Sequence, residues 1–109
     1  MLTDKRVLVT GAGHGMGRAI ALEAARQGAA CVTVVDIDAA EAAETAAAVA
    51  EHGARSHAAV VDLSDAAQVR RMVEEAVAAG GGLDTLVNNA GVLDSAFTDT
   101  PTLEELPEE

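Results

Sequence analysis

Val7-Leu8-Val9-Thr10-Gly11-Ala12-Gly13-His14-Gly15-Met16-Gly17 decides the fold. Val7 to Thr10 has the makeup of a short buried strand. The glycines that follow let the main chain turn tightly, and Ile20, Ala21, Ala24 and Ala25 then recur at helical spacing. A strand, a glycine turn and a helix start together make a backbone cradle for a phosphate. The helix N-terminus offers unpaired N–H groups and a partial positive charge, and glycine lets the backbone approach the ligand.

Outward from that stretch, strand and helix patterns alternate. Strand one is expected over Arg6 to Thr10, and a helix from about Met16 to Gln27 with Gly28 as its C-cap. Cys31 to Val35 is β-branched and continuous, as in a strand covered on both faces. Asp38 and Glu41 have capping-box spacing for a second helix through Ala42, Ala46, Val49 and Ala50 to Gly53. Strand three is expected over Ala58 to Val61. Ser64 and Asp65 open a third helix, with Val69, Met72, Val73, Ala76 and Val77 on one face. Gly80-Gly81-Gly82 stops it, and Thr85-Leu86-Val87 is strand four. Such βα units imply parallel strands joined by right-handed crossovers, hence an α/β doubly wound sheet of order 3-2-1-4. Thr100-Pro101 with Glu104 and Glu105, and Pro107-Glu108-Glu109, have the look of helix openings. These predict a partial domain over 1–109, incomplete at its C-terminus.

Composition narrows the function. The net charge is −11, which disfavours nucleic acid and anionic membrane surfaces as partners. The one cysteine, Cys31, reads as a small buried hydrophobe and excludes an internal disulfide or a multi-cysteine zinc site. No apolar leader precedes strand one and no run is long enough to span a bilayer, so cytoplasmic residence is expected. His52 and His57 are expected at the surface.

Four segments leave the carboxyl ends of the four strands: the glycine turn, Asp36, Asp62, and Asn88-Asn89-Ala90-Gly91. Open α/β sheets bind ligands in the crevice at that edge. Asp36 lies 19 residues past Gly17, near the spacing at which a carboxylate accepts from both adenosine ribose hydroxyls. Its charge repels a 2′-phosphate by roughly 1 kcal/mol in water and about 4 kcal/mol at an effective dielectric of 20. NAD is therefore expected to bind better than NADP. Ile37 stands where an arginine would have rescued the phosphate, and His14 softens the discrimination only slightly. Singly, each feature has a plainer explanation: a tight turn, a solvated strand-end acid, Ser64 capping the third helix after Asp62-Leu63, or asparagines that satisfy their own backbone.

Taken together, Thr10-Gly11-x-x-x-Gly15-x-Gly17, Asp62-Leu63 and Asn88-Asn89-Ala90-Gly91 resemble the N-terminal half of a short-chain dehydrogenase/reductase, from Arg6 to about Leu106. The more general G-x-G-x-x-G pattern is broken, because Met16 stands where its last glycine would be. The resemblance implies a Rossmann-like fold. It implies that backbone groups from Gly11 through Gly13, His14, Gly15 and Met16 to Gly17 hold a pyrophosphate. It also implies that Asp62 and Leu63 lie along the adenine, that the Asn89, Ala90 and Gly91 region touches the adenosine ribose side, and that Asn88 ties strand four to its neighbours. For the full-length protein it implies NAD-dependent hydride transfer with a small alcohol or carbonyl substrate, and a homo-oligomer.

The family's catalytic serine, Tyr-x-x-x-Lys pair and helix asparagine lie beyond these residues. Ser95 comes too soon after the asparagines to be that serine. The chain has no tyrosine, and its one lysine, Lys5, precedes strand one. No catalytic residue and no metal ligand is assigned, and the isolated chain is expected to be inactive. A non-catalytic nucleotide-binding module or pseudoenzyme fragment is the competing function. A methyl-transferring enzyme fits the early glycines and Asp36 but not Asn88-Asn89-Ala90-Gly91. A P-loop phosphotransferase lacks its Gly-Lys-Ser/Thr.

Overall fold

The computed structural model describes residues 2–89. Ala90, Gly91, Ser95 and the two expected C-terminal helix openings lie outside them. The elements run β1 (Arg6–Thr10), α1 (Gly15–Arg26), β2 (Cys31–Asp36), α2 (Ala39–Glu51), β3 (Arg55–Val60), α3 (Ala66–Gly80) and β4 (Thr85–Val87). The strands form one parallel sheet of order β3-β2-β1-β4, as the alternating pattern requires.

Strand alternation divides the core between two faces. Val7, Val9, Val32 and Val34 pack with Ala21, Ala24 and Ala25 of α1 and Ala42, Ala46 and Val49 of α2. Leu8, Val35, Ala59 and Val61 point the other way, against Met72 and Ala76 of α3. Alanine along α1 and α2 lets those helices lie close to the sheet. Cys31 is buried in this frame. Val73, Val77 and Leu86 remain exposed on α3 and β4.

Helix ends follow local chemistry. The left-handed Gly28 (φ 96°) turns the chain one residue past the C-cap Gln27, and the Ala29 amide donates to the Ala24 carbonyl at 3.1 Å. Asp65 caps α3 by accepting from the Ala67 and Gln68 amides, so the Ser64 side chain is not the cap. The Ser64 hydroxyl donates to Asp62 instead.

Two expectations need correction. Strand three begins at Arg55 rather than Ala58, because Arg55-Ser56-His57 continue the ladder opposite Cys31-Val32-Thr33. An edge strand keeps one side open to water, so polar residues there do not end the strand. His52 is exposed at the end of α2, as expected, but His57 is half-buried beneath α3. Among the described residues its Nε2 has no hydrogen-bond partner, and it lies 3.8 Å from a Glu75 carboxylate oxygen.

At the edge opposite the strand exits, Arg6 and Asp84 clamp β1 to the entry of β4. Arg6 Nε donates to Asp84 Oδ2 at 2.8 Å, NH2 to Oδ1 at 3.1 Å, and the Arg6 amide to Oδ2 at 2.8 Å. These bonds, with the guanidinium charge, hold the Asp84 carboxyl down at about 2.

Candidate nucleotide-binding site

All four strands run in one direction, so Thr10, Asp36, the residues after Val60 and those after Val87 emerge at the same edge. The glycine turn begins there with Gly11 in the left-handed region (φ 63°). The Ala12 amide donates to the Val35 carbonyl at 2.9 Å and fastens the turn across the end of β2. A methyl group at Gly17 would collide with the Gly11 carbonyl oxygen and sit 2.7 Å from Asn89 Nδ2. One at Gly13 would meet Glu41 Cβ at 2.7 Å and Asp36 Oδ2 at 2.8 Å. These two glycines are dictated by close approach, not by turn preference.

Asp36 ends β2 with only 6% of its surface exposed. Its Oδ2 accepts from the Gly13 amide at 2.8 Å and its Oδ1 from the Asp38 amide at 3.0 Å. Each carboxylate oxygen accepts more than one hydrogen bond, so both keep capacity toward a ligand. The protein thus holds the Asp36 carboxyl group rigidly at the mouth of the glycine turn.

A hydroxyl chain supports the turn from behind. The fully buried Thr45 of α2 donates to the Gly13 carbonyl at 3.3 Å and accepts from Arg18 NH1 of α1 at 2.9 Å. On the other flank, Thr10 Oγ1 lies 3.1 Å from Asn88 Oδ1 and accepts from the Asn89 amide at 2.9 Å. The exit of β4 is therefore pinned to the start of the glycine turn, and Asn88 does tie β4 to its neighbour.

Gly13, His14 and Asp36 form one contact group, and Gly17 with Asn89 forms a second beside it. Met16 and Ile37 stand exposed on the same rim, at 71% and 69% of their surfaces. Asp62 and Leu63 share the edge, but their bonds are local. Asp62 Oδ1 accepts from the Ser64 amide and hydroxyl, which lowers its carboxyl from the ordinary range. Leu63 packs against the α3 side of the core.

Glu41 escaped notice as a site residue. Its amide donates to the Asp38 carboxylate at 2.9 Å, as a capping box requires. Its carboxylate, however, does not return to the Asp38 amide, which Asp36 already occupies. It lies 3.0 Å from His14 Nδ1 instead, and that nitrogen is 3.8 Å from Asp36 Oδ2. Among the described residues, His14, Asp36 and Glu41 form one group of metal-ligating types with donor atoms within 4.8 Å of each other. The backbone amides on Asp36 and the imidazole on Glu41 already account for that arrangement. Asp36 and Asn89 stand at the strand exits, where the strand pattern puts them; the Glu41 carboxylate and the Thr45 hydroxyl left only weak traces in the sequence.

A family model described as short chain dehydrogenase matches residues 5–109. The "Probable oxidoreductase EphD" of Mycobacterium tuberculosis is 46% identical over 99 residues, covering 90% of this chain and 17% of that protein. The L-rhamnose 1-dehydrogenase (NAD(P)(+)) of Azotobacter vinelandii is 42% identical over 105 residues, covering 93% of this chain and 41% of the relative. Among solved structures, a short chain dehydrogenase from Mycobacterium paratuberculosis bound to NAD superposes with a TM-score of 0.78 at 36% identity. That match covers 83% of this chain and 38% of the other. The chain spans less than half the length of each of these relatives.

Proposed function

This chain belongs to the short-chain dehydrogenase/reductase family, and from that premise we propose that it is the cofactor-holding portion of an NAD-dependent oxidoreductase. The observation that carries the proposal is the buried Asp36 carboxylate fixed on the Gly13 amide. It presents acceptors for two vicinal ribose hydroxyls and a fixed negative charge against a 2′-phosphate.

The residues fit the group. Gly13 and Gly17 allow the turn to close tightly on Asp36 and on the Gly11 carbonyl, which shapes the backbone cradle. The N-terminus of α1 directs amide hydrogens from the turn toward a pyrophosphate, and it carries no acidic residue in its first turn. Asn89, held against Gly17 and Thr10, borders the adenosine side, with Ala90 and Gly91 next along the chain. Leu63 and Ile37 supply apolar surface beside it. When bound, NAD supplies the hydride-accepting nicotinamide. The residues of this chain bind and orient its adenosine diphosphate half.

Hydride exchange with a small alcohol or carbonyl compound is proposed for a protein that carries the family's serine, tyrosine and lysine beyond these residues. Such a protein is proposed to be a cytoplasmic homo-oligomer. The described residues include no helix long and apolar enough to cross a membrane. Because this chain has no tyrosine, nucleotide binding without catalysis is the second reading for the chain by itself.

Calorimetric titration of the 109-residue chain with NAD, NADP and ADP-ribose tests the assignment. Saturable heat with ADP-ribose and NAD, and at least tenfold weaker binding of NADP, is expected. Equal affinity for NAD and NADP would remove the cofactor preference, and no binding of any of the three would remove the nucleotide site.

A further inference from the structure

We propose that Glu41 is a specificity-determining residue: it is a second anionic guard of the ribose 2′ position, and it holds His14 out of service as a phosphate-binding cation. The inference rests on the nucleotide reading above, since it concerns the same corner of the same site.

The geometry begins with the diverted capping box. Asp36 Oδ1 takes the Asp38 amide, so the Glu41 carboxylate is released from its expected partner and reaches across to the glycine turn. There it meets His14 Nδ1 at 3.0 Å. An ionised carboxylate only accepts hydrogen bonds, so the imidazole places its Nδ1 hydrogen on Glu41. His14 caps α1 by position without any side-chain cap bond, because its ring is drawn to Glu41. Asp36 Oδ2 stands 3.8 Å from the same nitrogen.

Counting charge gives the consequence. With the imidazole neutral, the corner holds two negative charges, Asp36 and Glu41, and a 2′-phosphate placed beside Asp36 faces both. Protonation of His14 leaves the corner at a net charge of −1, with the imidazolium already engaged by carboxylates. Without Glu41, the protonated corner is neutral and the imidazolium is freer to meet a phosphate. The other charged groups on the elements packed about His14 are the α2 cap Asp38, Glu44 and Glu51 on α2, and Arg18, Glu23 and Arg26 on α1. Arg18 NH1 is bonded to Thr45 and Asp38 accepts from the Glu41 amide.

Glu41 is well placed for a clean test. Its side chain is 42% exposed, and glutamine preserves the stem packed near Gly13 as well as the helix preference. The experiment titrates the full 109-residue chain with ADP-ribose and with 2′-phospho-ADP-ribose, at pH 7.5 and at pH 5.5, where unpaired imidazoles are charged. Wild type, Glu41→Gln and the double variant Glu41→Gln/His14→Ala are compared. The probe's own phosphate has a second pKa of about 6, so each variant is compared with wild type at the same pH and not across pH.

The wild-type chain is expected to prefer ADP-ribose at both pH values. Glu41→Gln is expected to bring the two ligands closer by about fivefold to tenfold at both pH values, the size of one unit charge in a solvated site, with a further gain at pH 5.5 from the released imidazolium. The double variant is expected to lose that extra gain at pH 5.5. An unchanged preference, within twofold, in Glu41→Gln at both pH values overturns the role of Glu41 while leaving the nucleotide site standing. Absence of ADP-ribose binding in the wild type overturns both together.

Discussion

The Gly13 amide nitrogen lies 2.8 Å from Asp36 Oδ2, across 23 residues of sequence, and this bond, with the Ala12–Val35 bond, joins the glycine turn to the end of β2. It does two things at once. It satisfies a buried carboxylate that would otherwise be costly, and it fixes the acid beside the backbone amides of the turn.

Replacing Asp36 separates those two roles. Asp36→Asn keeps an oxygen able to accept the Gly13 amide, gives up the acceptor of the Asp38 amide, and removes the charge. It should retain most of the stability, weaken NAD, and improve NADP relative to NAD by about tenfold or more. Asp36→Leu also leaves the buried Gly13 amide without a partner, at a further cost of about 1–3 kcal/mol. Chemical denaturation and paired NAD/NADP titrations of the two variants check both expectations.

Gly17→Ala tests the close approach of backbone to backbone. A methyl group there collides with the Gly11 carbonyl oxygen, which no rotamer change relieves. The turn must open, with loss of about 1–3 kcal/mol or more and of nucleotide binding. Thermal unfolding with and without ADP-ribose measures both. A variant as stable and as competent as the wild type would contradict the packing described.

Thr45→Val removes a fully buried hydroxyl at nearly constant shape. The Gly13 carbonyl and the Arg18 guanidinium both lose a partner, so about 1–3 kcal/mol of stability should go. Thr45→Ser keeps the hydroxyl and should restore nucleotide affinity more fully than it restores stability. Titration of the two variants with ADP-ribose distinguishes support of the turn from packing alone.

The far edge of the sheet makes a pH prediction. The Asp84 carboxyl, held by Arg6, titrates at about 2, below its ordinary value of 3.8. The folded state therefore favours the charged form. That contribution is complete above about pH 4–5 and is lost as pH falls toward 2. Asp84→Asn should be less stable than wild type near neutral pH and should converge with it in acid. Unfolding midpoints between pH 2 and pH 7 check the sign; a gap that widens in acid would contradict it.

Much of this architecture was written in local pattern. The apolar run Val7–Thr10, the β-branched run Cys31–Val35 and the glycines between them specify a buried parallel sheet, and the spacing to Asp36 specifies an acid at its edge. The start of β3 was hidden, because Arg55-Ser56-His57 are polar and only their pairing with β2 makes them strand. Glu41 was legible as a helix-capping residue, since its amide does bond Asp38. Its carboxylate partner is 27 residues earlier, on another element, and no local pattern encodes that choice. Thr45 and the Arg6–Asp84 clamp were hidden for the same reason: their partners are distant in sequence and meet only after the sheet has formed.

Amide-resolved NMR titration of the isotopically labelled chain with ADP-ribose tests the central claim most directly. The account predicts shifts concentrated at Gly11 to Gly17, Asp36, Ile37 and Asn89, with the Arg6–Asp84 edge unmoved. Perturbations centred on Arg6, Gly81 and Asp84, or no perturbation of the glycine turn at saturating ligand, would contradict it.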